Sequence, residues 1–281
     1  MFEAVIVMLS LLFGVMVGFS LGLTGGGGSV FALPLLVYGL QVPVHQAVVI
    51  SLAAVGITSL GGGLARRRDG QAEYRIALIF GLFGVTGAPL GAWLNPRFPE
   101  SALLVGFALL MLAVAGRMWR QANRQPEETR IVRADINAVV DHHADPTCRY
   151  DPGGRLRLTS HCAARLALAG SATGLLSGLF GVGGGFLIVP ALVLIASLPI
   201  RRAVATSLWI IAIISGISLL SHLMAGHRLP VALTAVFILG GMGGMLSGIA
   251  LGRHIAGPIL QKIFAGMMVA VAVFMCGHIV I

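Results

Sequence analysis

Charged side chains are scarce in this sequence. Asp, Glu, Lys and Arg together make up 10% of the 281 residues, whereas soluble globular domains carry about 25%. Hydrophobic residues make up 57%, and the mean hydropathy is +0.94. This composition excludes a soluble globular domain and indicates an integral membrane protein.

Acidic residues are the rarer charged group, with 10 Asp and Glu against 19 Lys and Arg. No charged residue falls deep within an apolar segment, which disfavours coupling by a buried carboxylate. The basic residues fall mainly in short loops and in one central polar stretch. That distribution is typical of membrane orientation and argues against nucleic-acid binding.

The sequence matches itself after a shift of 156 residues. The superposed glycines and prolines are Gly22, Gly25, Gly27, Gly28 and Pro34 with Gly178, Gly181, Gly183, Gly184 and Pro190. The register continues without a gap through Ser51 and Ser207 and through Ser59 and Ser215. The match predicts two homologous membrane repeats, residues 1–118 and 164–281, joined by a polar linker, residues 119–163.

Each half divides into five apolar segments. They are residues 4–23, 29–41, 44–64, 74–94 and 101–118 in the first half, and 164–179, 186–198, 203–223, 231–251 and 260–280 in the second. The second segment of each half follows a glycine run, and its helix would rise only about 20 Å, less than the bilayer core. These two short segments are predicted to be broken or re-entrant helices.

The number of crossings per half decides the relation between the repeats. Four crossings would make the repeats parallel, and five would make them inverted. With five crossings and the N-terminus outside, the cytoplasmic side receives Arg66–Arg68, Arg201–Arg202, Arg253 and the linker, as the positive-inside rule requires. We therefore predict an all-α, multi-pass protein of the inner membrane with inverted repeats, both termini outside and a cytoplasmic linker.

Apolar helices that are broken by glycine at matching places in two halves are typical of a transport site. Free backbone N–H groups at the helix starts would suit an anion, and nearby hydroxyl and indole groups can also donate hydrogen bonds. The predicted substrate-binding residues are Gly25, Gly27, Gly28, Ser29, Ser51, Thr58, Ser59, Gly181, Gly183, Gly184, Gly185, Thr206, Ser207, Trp209 and Ser215.

The alternative role of these glycines is close helix packing, and that of the hydroxyls is hydrogen bonding within the membrane helices. Under the substrate role, we expect the two glycine loops to face each other near the bilayer midplane, together with Ser51 and Ser207. Arg66–Arg68 and Arg201–Arg202 could attract an anion at the cytoplasmic mouth, although orientation in the membrane is the commoner use of such residues.

The motif Gly22-x-x-Gly25-x-Gly27-Gly28, its counterpart from Gly178 to Gly184, the following prolines and the two Ala-x-x-x-Ser-Leu stretches resemble the sulfite exporter TauE/SafE family of permeases. The resemblance implies secondary transport of sulfite, a sulfonate or another small sulfur-containing or organic anion, without ATP hydrolysis. It implies no cofactor and no metal.

Two other functions stay open from the residues. A passive anion channel can also be built from glycine-broken helices. A membrane-embedded enzyme acting on sulfur groups is disfavoured, because Cys276 is the only cysteine within an apolar segment and has no counterpart in the other half. His45 and His222 are the nearest groups that could relay a proton, although packing at a helix end is their commoner role.

Overall fold

The computed structural model describes residues 2–94, 97–124, 149–150, 156–157, 160–180, 185–196, 198–224 and 229–280. Within them the chain forms ten α-helices. These are α1 (Phe2–Thr24), α2 (Gly28–Pro34), α3 (Val44–Ala65), α4 (Tyr74–Leu94), α5 (Glu100–Arg124), α6 (Ser160–Phe180), α7 (Gly185–Leu194), α8 (Ile200–Met224), α9 (Val231–His254) and α10 (Gly257–Val280).

Four shorter elements complete the described chain. A π-helical turn, Leu35–Gly39, continues α2, and a 3₁₀ turn, Arg67–Asp69, follows α3. The strands β1 (Arg149–Tyr150) and β2 (Leu156–Arg157) pair in antiparallel fashion. They lie in the predicted linker.

Each of the ten predicted apolar segments is helical, and α4 has the predicted bounds. The polar stretch is shorter than residues 119–163, because α5 extends to Arg124 and α6 begins at Ser160. Arg and Gln in the last turns of α5 are good helix formers, so the helix continues after the apolar residues end. Apolar length alone therefore underestimates both helices that flank the linker.

In the described part of the chain, six helices are long and apolar enough to cross a membrane. Their apolar spans are Val5–Thr24, His45–Ala65, Tyr74–Gly91, Cys162–Leu179, Ile200–Met224 and Val231–His254, and α10 adds a shorter apolar stretch, Gly257–Ala270. The spans of α3 and α8 are the most buried, at 56% and 50% of their residues, against 33–44% for the other four. These two helices therefore form the centre of the bundle.

Helix α1 packs along α9 through glycine. Gly14 lies against the backbone of Phe237, and Gly22 lies against that of Met245. A glycine surface lets two helix backbones approach closely, as in other membrane bundles. Because the residue numbers rise together along both helices, α1 and α9 run in the same direction.

Helices α4 and α6 form the corresponding pair. Gly170 lies against Phe80, and Gly174 lies against the carbonyl group of Gly84. This pair is also parallel. Under the 156-residue shift, α6 is the counterpart of α1, and α9 is the counterpart of α4. In each pair the first helix of one half therefore packs against the fourth helix of the other half in the same way: α1 against α9, and α6 against α4.

The central helices α3 and α8 run in opposite directions. Gly56 of α3 lies against Ser215, whereas Gly63, two turns later, lies against Trp209. Helix α8 is the counterpart of α3. Counterpart helices at the centre of the bundle are therefore antiparallel.

The short helix α2 returns along α1. Gly28 lies against Leu21 near the end of α1, and Gly39 lies against the ring of Phe13, farther back along α1. Helix α3 then runs parallel to α9, because Gly62 lies against Met245 just as Gly22 does. Helices α1 and α3 thus point the same way, and the segment between them carries the chain back.

Backbone hydrogen bonds recur with the spacing of 156 residues. They are Val42 N to Leu36 O and Leu198 N to Leu192 O, both 3.1 Å, and Ala47 N to Pro43 O and Ala203 N to Pro199 O, both 2.9 Å. The first pair closes the end of each short helix, and the second pair opens each central helix. Both halves therefore pass from the short helix to the central helix in the same way.

Most of the basic side chains of the helices lie at one end of the bundle. With the helix directions above, that end holds the end of α3, α5 and α9 and the start of α4, α6, α8 and α10. Its basic residues include Arg66, Arg67, Arg75, Arg117, Arg120, Arg165, Arg201, Arg202, Arg253 and Lys262. Arg97, after the end of α4, lies at the opposite end. We call the first end the basic end.

Candidate functional site

The break between α1 and α2 depends on glycine at one position. Gly25 has φ = +75°, a conformation in which a Cβ atom is strained. Its N–H still donates to Leu21 O at 2.7 Å, so it closes the last turn of α1. Thr24 Oγ1 then accepts a hydrogen bond from Gly27 N at 3.0 Å. The chain reverses within these residues without leaving the Gly27 donor unpaired.

The following glycines serve close packing. A side chain at Gly28 would overlap the carbonyl oxygen of Val17, and one at Gly27 would lie 2.9 Å from Thr24 Oγ1. Both positions are buried. At Gly28 the structure therefore has the packing role that was the alternative to a substrate role.

Ser207 of α8 contacts the break between α1 and α2. Its Oγ atom lies 2.7 Å from Gly25 O and 2.9 Å from Val204 O, so one hydroxyl group spans the two halves and its own helix. Ser207 is fully buried. The structure therefore brings together two predicted site residues that are far apart in the sequence.

Ser51 does not join them. Its Oγ atom donates to Val48 O at 2.9 Å within α3. Ser51 precedes Gly63 by 12 residues, which is about 18 Å of helix, whereas Trp209, against Gly63, is within one turn of Ser207. The expectation that Ser51 and Ser207 face each other near the midplane is wrong, because antiparallel α3 and α8 carry them toward opposite ends.

The two short helices do meet, at their first residues. Ser29 lies in the first turn of α2, and a Cβ atom at Gly185, the first residue of α7, would be 2.5 Å from Ser29 Oγ. Ser29 Oγ itself donates to Gly26 O at 2.8 Å. Gly185 also lies against Ile211 of α8. The predicted residues Gly181, Gly183 and Gly184 fall outside the described residues.

Two buried polar atoms of the central helices have no hydrogen-bond partner among the described residues. They are Ser59 Oγ and Trp209 Nε1. The indole nitrogen would be 3.1 Å from a Cβ atom at Gly63, one helical turn after Ser59 on the same face of α3. The indole ring also meets Tyr74 edge-on at 5.3 Å between ring centroids. Unpaired buried polar atoms are rare in proteins, so these two groups are candidates for ligand contact.

The other predicted hydroxyl groups have partners in the protein. Thr58 Oγ1 donates to Ala54 O at 2.6 Å within α3. Thr206 Oγ1 accepts a hydrogen bond from Glu73 N at 3.1 Å and so joins α8 to the loop before α4. Ser215 packs against Gly56 at the crossing of α3 and α8. Thr206 and Ser215 therefore connect helices, whereas the hydroxyl group of Thr58 is paired within its own helix.

One buried cation was not among the predicted site residues. Arg66, at the end of α3, is only 6% exposed, and its Nη2 atom donates to Gly22 O at 2.9 Å. Its Nε atom is buried and lacks a hydrogen-bond partner within the described part of the chain. The run Arg66-Arg67-Arg68 gave no sign of this, because the sequence does not show which of three adjacent arginines turns inward.

Burial lowers the pKa of Arg66 to about 10, Asp69 opposes the change, and Arg253 and Arg201 add to it. Burial therefore disfavours the charged form of this guanidinium group. The guanidinium group is still charged at neutral pH. An anion beside it would offset part of that effect.

The described ranges contain no group of three or more His, Cys, Asp or Glu side chains that could hold a metal ion. The candidate groups described above are hydroxyl, indole and guanidinium groups, all of which can donate hydrogen bonds. Indole and guanidinium are donors only, which suits the oxygen atoms of an anion.

Comparison with known proteins agrees with this arrangement. The profile of the family Sulfite exporter TauE/SafE matches residues 10–275. A probable membrane transporter protein of Xylella fastidiosa strain Temecula1 is 34% identical over 266 residues, covering 93% of this chain and 91% of that protein. The probable membrane transporter protein YunE of Bacillus subtilis strain 168 is 30% identical over 229 residues, covering 79% of each chain.

No solved structure matches the chain significantly. The family match covers nearly the whole length, including both glycine motifs, and the relatives are named as membrane transporters. The helices long enough to cross a bilayer fit that description. The chain is a multi-pass membrane transporter and belongs to the sulfite exporter TauE/SafE family.

Proposed function

We propose that this chain is a secondary transporter that moves a small oxyanion, such as sulfite, a sulfonate or another organosulfur anion, across the inner membrane. The observation that carries the proposal is the pair of unpartnered buried polar atoms, Ser59 Oγ and Trp209 Nε1, on the central helices α3 and α8. In a membrane interior without water such groups cost free energy unless a ligand meets them.

The chemistry of these groups selects an anion over a cation. Trp209 Nε1 can only donate, and Ser59 Oγ can donate to an anionic oxygen without bringing a charge into the membrane. The first residues of the short helices, Ser29 and Gly185, meet, and Gly185 lies against Ile211 of α8, the helix that carries Trp209. Carboxylates, which would attract a cation, are absent from the described parts of the six apolar spans.

The helix directions support the proposal that the two halves are inverted repeats. Counterpart helices α3 and α8 are antiparallel, while the α1–α9 and α4–α6 pairs exchange places under the repeat. This supports a pseudo-two-fold axis in the membrane plane, as in many secondary transporters. The axis would pass between Ser29 and Gly185, which are equivalent positions 156 residues apart.

The orientation follows from the basic end, which the positive-inside rule places in the cytoplasm. Helix α1 begins and α10 ends at the opposite end, so both termini would lie outside. Helices α5 and α6 meet the linker at the basic end, so the linker would be cytoplasmic. In a bacterial cell this topology belongs to the inner membrane.

The test is uptake by the purified protein in proteoliposomes, with radiolabelled sulfite, thiosulfate, taurine and sulfate offered in turn. We expect saturable uptake of at least one sulfur oxyanion that exceeds the outside concentration when a proton gradient or counter-anion is supplied. Uptake that never exceeds equilibrium and does not saturate would indicate a passive channel instead. Transport that is unchanged in the double variant Ser59→Ala/Trp209→Phe would contradict the proposed site.

Coupling to protons can be read from the same vesicles. His45 and His222 are the titratable groups of the central helices α3 and α8, and His222 Nδ1 lies 2.9 Å from Ser218 O. We propose that a proton gradient drives uptake through one of them. Uptake that needs no gradient in the variants His45→Gln and His222→Gln would identify the coupling group, and gradient-driven uptake in both variants would exclude it.

A further inference from the structure

Arg66 is a buried cation beside the helix break, and it has no carboxylate of its own. Asp69, the acidic group whose charge it feels, forms an ion pair with Arg253, at 3.2 Å from Nη2 to Oδ1. Arginine is almost never buried unless it is paired. The Nη2 atom of Arg66 donates a hydrogen bond to Gly22 O, whereas its buried Nε atom has no hydrogen-bond partner in the described chain.

The position of Arg66 matters as much as its charge. Gly22, which it contacts, lies one turn before Gly25, where α1 breaks and Ser207 of the other half arrives. Arg66 therefore lies between the basic end of the bundle and the break.

We infer that Arg66 binds the transported oxyanion on the basic side of the helix break, donating its Nε–H to a substrate oxygen while Nη2 stays on Gly22 O. This inference rests on the proposed function and names a charged residue for it. Arg201 and Arg253 raise the positive potential around the site, and Asp69 reduces it. A charge-assisted hydrogen bond of this kind is stronger than a bond between neutral groups.

A purely structural role would need only the hydrogen bond to Gly22 O, which caps the end of α1. Neutral donors such as glutamine or neutral histidine can make that bond, but they cannot supply a charge. The repeat offers a natural substitute, because the residue 156 positions after Arg66 is His222. Arg66→His therefore places the counterpart side chain at this position and makes its charge depend on pH.

The experiment measures uptake of sulfite and thiosulfate into proteoliposomes by the wild type, Arg66→Gln, Arg66→Lys and Arg66→His. Arg67→Gln is the matched control, because Arg67 is the next residue and is exposed. We expect at least about a tenfold rise in KM for Arg66→Gln, since a charge-assisted bond is lost, a smaller rise for Arg66→Lys, and wild-type values for Arg67→Gln.

The Arg66→His variant separates the effect of the positive charge at this position from that of the hydrogen bond that caps α1. Its uptake relative to the wild type at the same pH should fall between pH 5.5 and 8, because imidazole loses its charge near about pH 6.5. Expressing each rate relative to the wild type cancels the titration of the anion itself. If Arg66→Gln is not recovered folded, the Lys and His variants decide the question.

A wild-type KM in Arg66→Gln, or a pH-independent ratio in Arg66→His, would overturn the inference and leave Arg66 as a cap of α1. The proposed function fails separately, if the wild type takes up neither sulfite nor thiosulfate nor any other anion offered. In that case the inference falls with it.

Discussion

Substituting Gly25 tests whether the break between α1 and α2 is fixed by backbone conformation alone or also by contact with the other half. Gly25 and Gly70 both have positive φ, +75° and +64°. A Cβ atom at Gly70 would meet nothing within 4 Å, whereas one at Gly25 would lie 2.7 Å from Ser207 Oγ and 2.8 Å from Val204 Cα. Both substitutions therefore carry the cost of a left-handed backbone conformation, but only a substitution at Gly25 adds a steric overlap.

The left-handed conformation costs a residue with a Cβ atom about 1–2 kcal/mol. Overpacking a tight contact adds about 1–3 kcal/mol. We expect Gly70→Ala to lower the free energy of unfolding by about 1–2 kcal/mol, and Gly25→Ala by about 2–5 kcal/mol. The measurement is unfolding by SDS titration in mixed micelles, with thermal denaturation as a check.

A double variant refines the comparison. Gly25→Ala with Ser207→Ala removes the hydroxyl contact but leaves the Val204 backbone 2.8 Å from the new methyl group. Its stability should therefore stay below that of Gly70→Ala. If Gly25→Ala is no less stable than Gly70→Ala, the close contact between the break and α8 is refuted.

Three further expectations concern the contacts between helices. Ser207→Ala should lower the free energy of unfolding by about 1–2 kcal/mol, because Gly25 O loses its hydrogen-bond donor. The control Ser221→Ala, at an exposed position in the same helix, should have little effect. Equal losses in the two variants would contradict the Ser207–Gly25 bond. Gly18→Leu should prevent recovery of folded protein, because its Cβ atom would overlap Gly241 O. Gly266→Leu, at a position where a Cβ atom would meet nothing within 4 Å, should be recovered normally in size-exclusion chromatography. Arg253→Gln should change the melting temperature very little, because exposed ion pairs contribute about 0–1 kcal/mol; a large loss would show that this pair holds the bundle together.

The helices could be predicted from sequence to within a few residues, because a long apolar segment is a local signal that the bilayer interprets in one way. Helix α4 has the predicted bounds, and the short helices begin within a residue of those predicted. Errors appear where polar side chains continue a helix beyond its apolar residues, as at Arg124. There the end depends on helix propensity rather than on hydropathy.

The candidate site was harder to predict, because it depends on which residues meet across the bundle. The repeat predicted that equivalent residues converge, but under an inverted repeat this holds only where the two-fold axis passes. Ser29 and Gly185 satisfy that condition, whereas Ser51 and Ser207 are carried apart. The bond from Arg66 to Gly22 joins positions 44 residues apart, and no local pattern marks it.

Glycine shows the same limit at closer range. Gly25 and Gly28 belong to one motif, yet the first is required by its positive φ and the second by the carbonyl oxygen of Val17. A sequence pattern records that a side chain is excluded at both. The cause of the exclusion is visible only after the neighbouring helix is in place.

The proposed inverted repeats need departures from the repeat in order to give the chain a direction in the membrane. Those departures collect at the basic end, where Arg253 pairs with Asp69 at 3.2 Å and Arg202 pairs with Glu73 at 3.4 Å, each joining a residue of one half to a residue of the other.

The counterparts of the two acidic residues are Ala225 and Leu229, so the repeat cannot reproduce these pairs at the other end. Both pairs are partly exposed, and such pairs contribute about 0–1 kcal/mol each. Hydrogen bonds from Glu73 N to Thr206 Oγ1 and from Gln261 Nε2 to Met118 O also join the halves at this end. Each of these polar contacts contributes little beside the glycine packing of α1 with α9 and of α4 with α6.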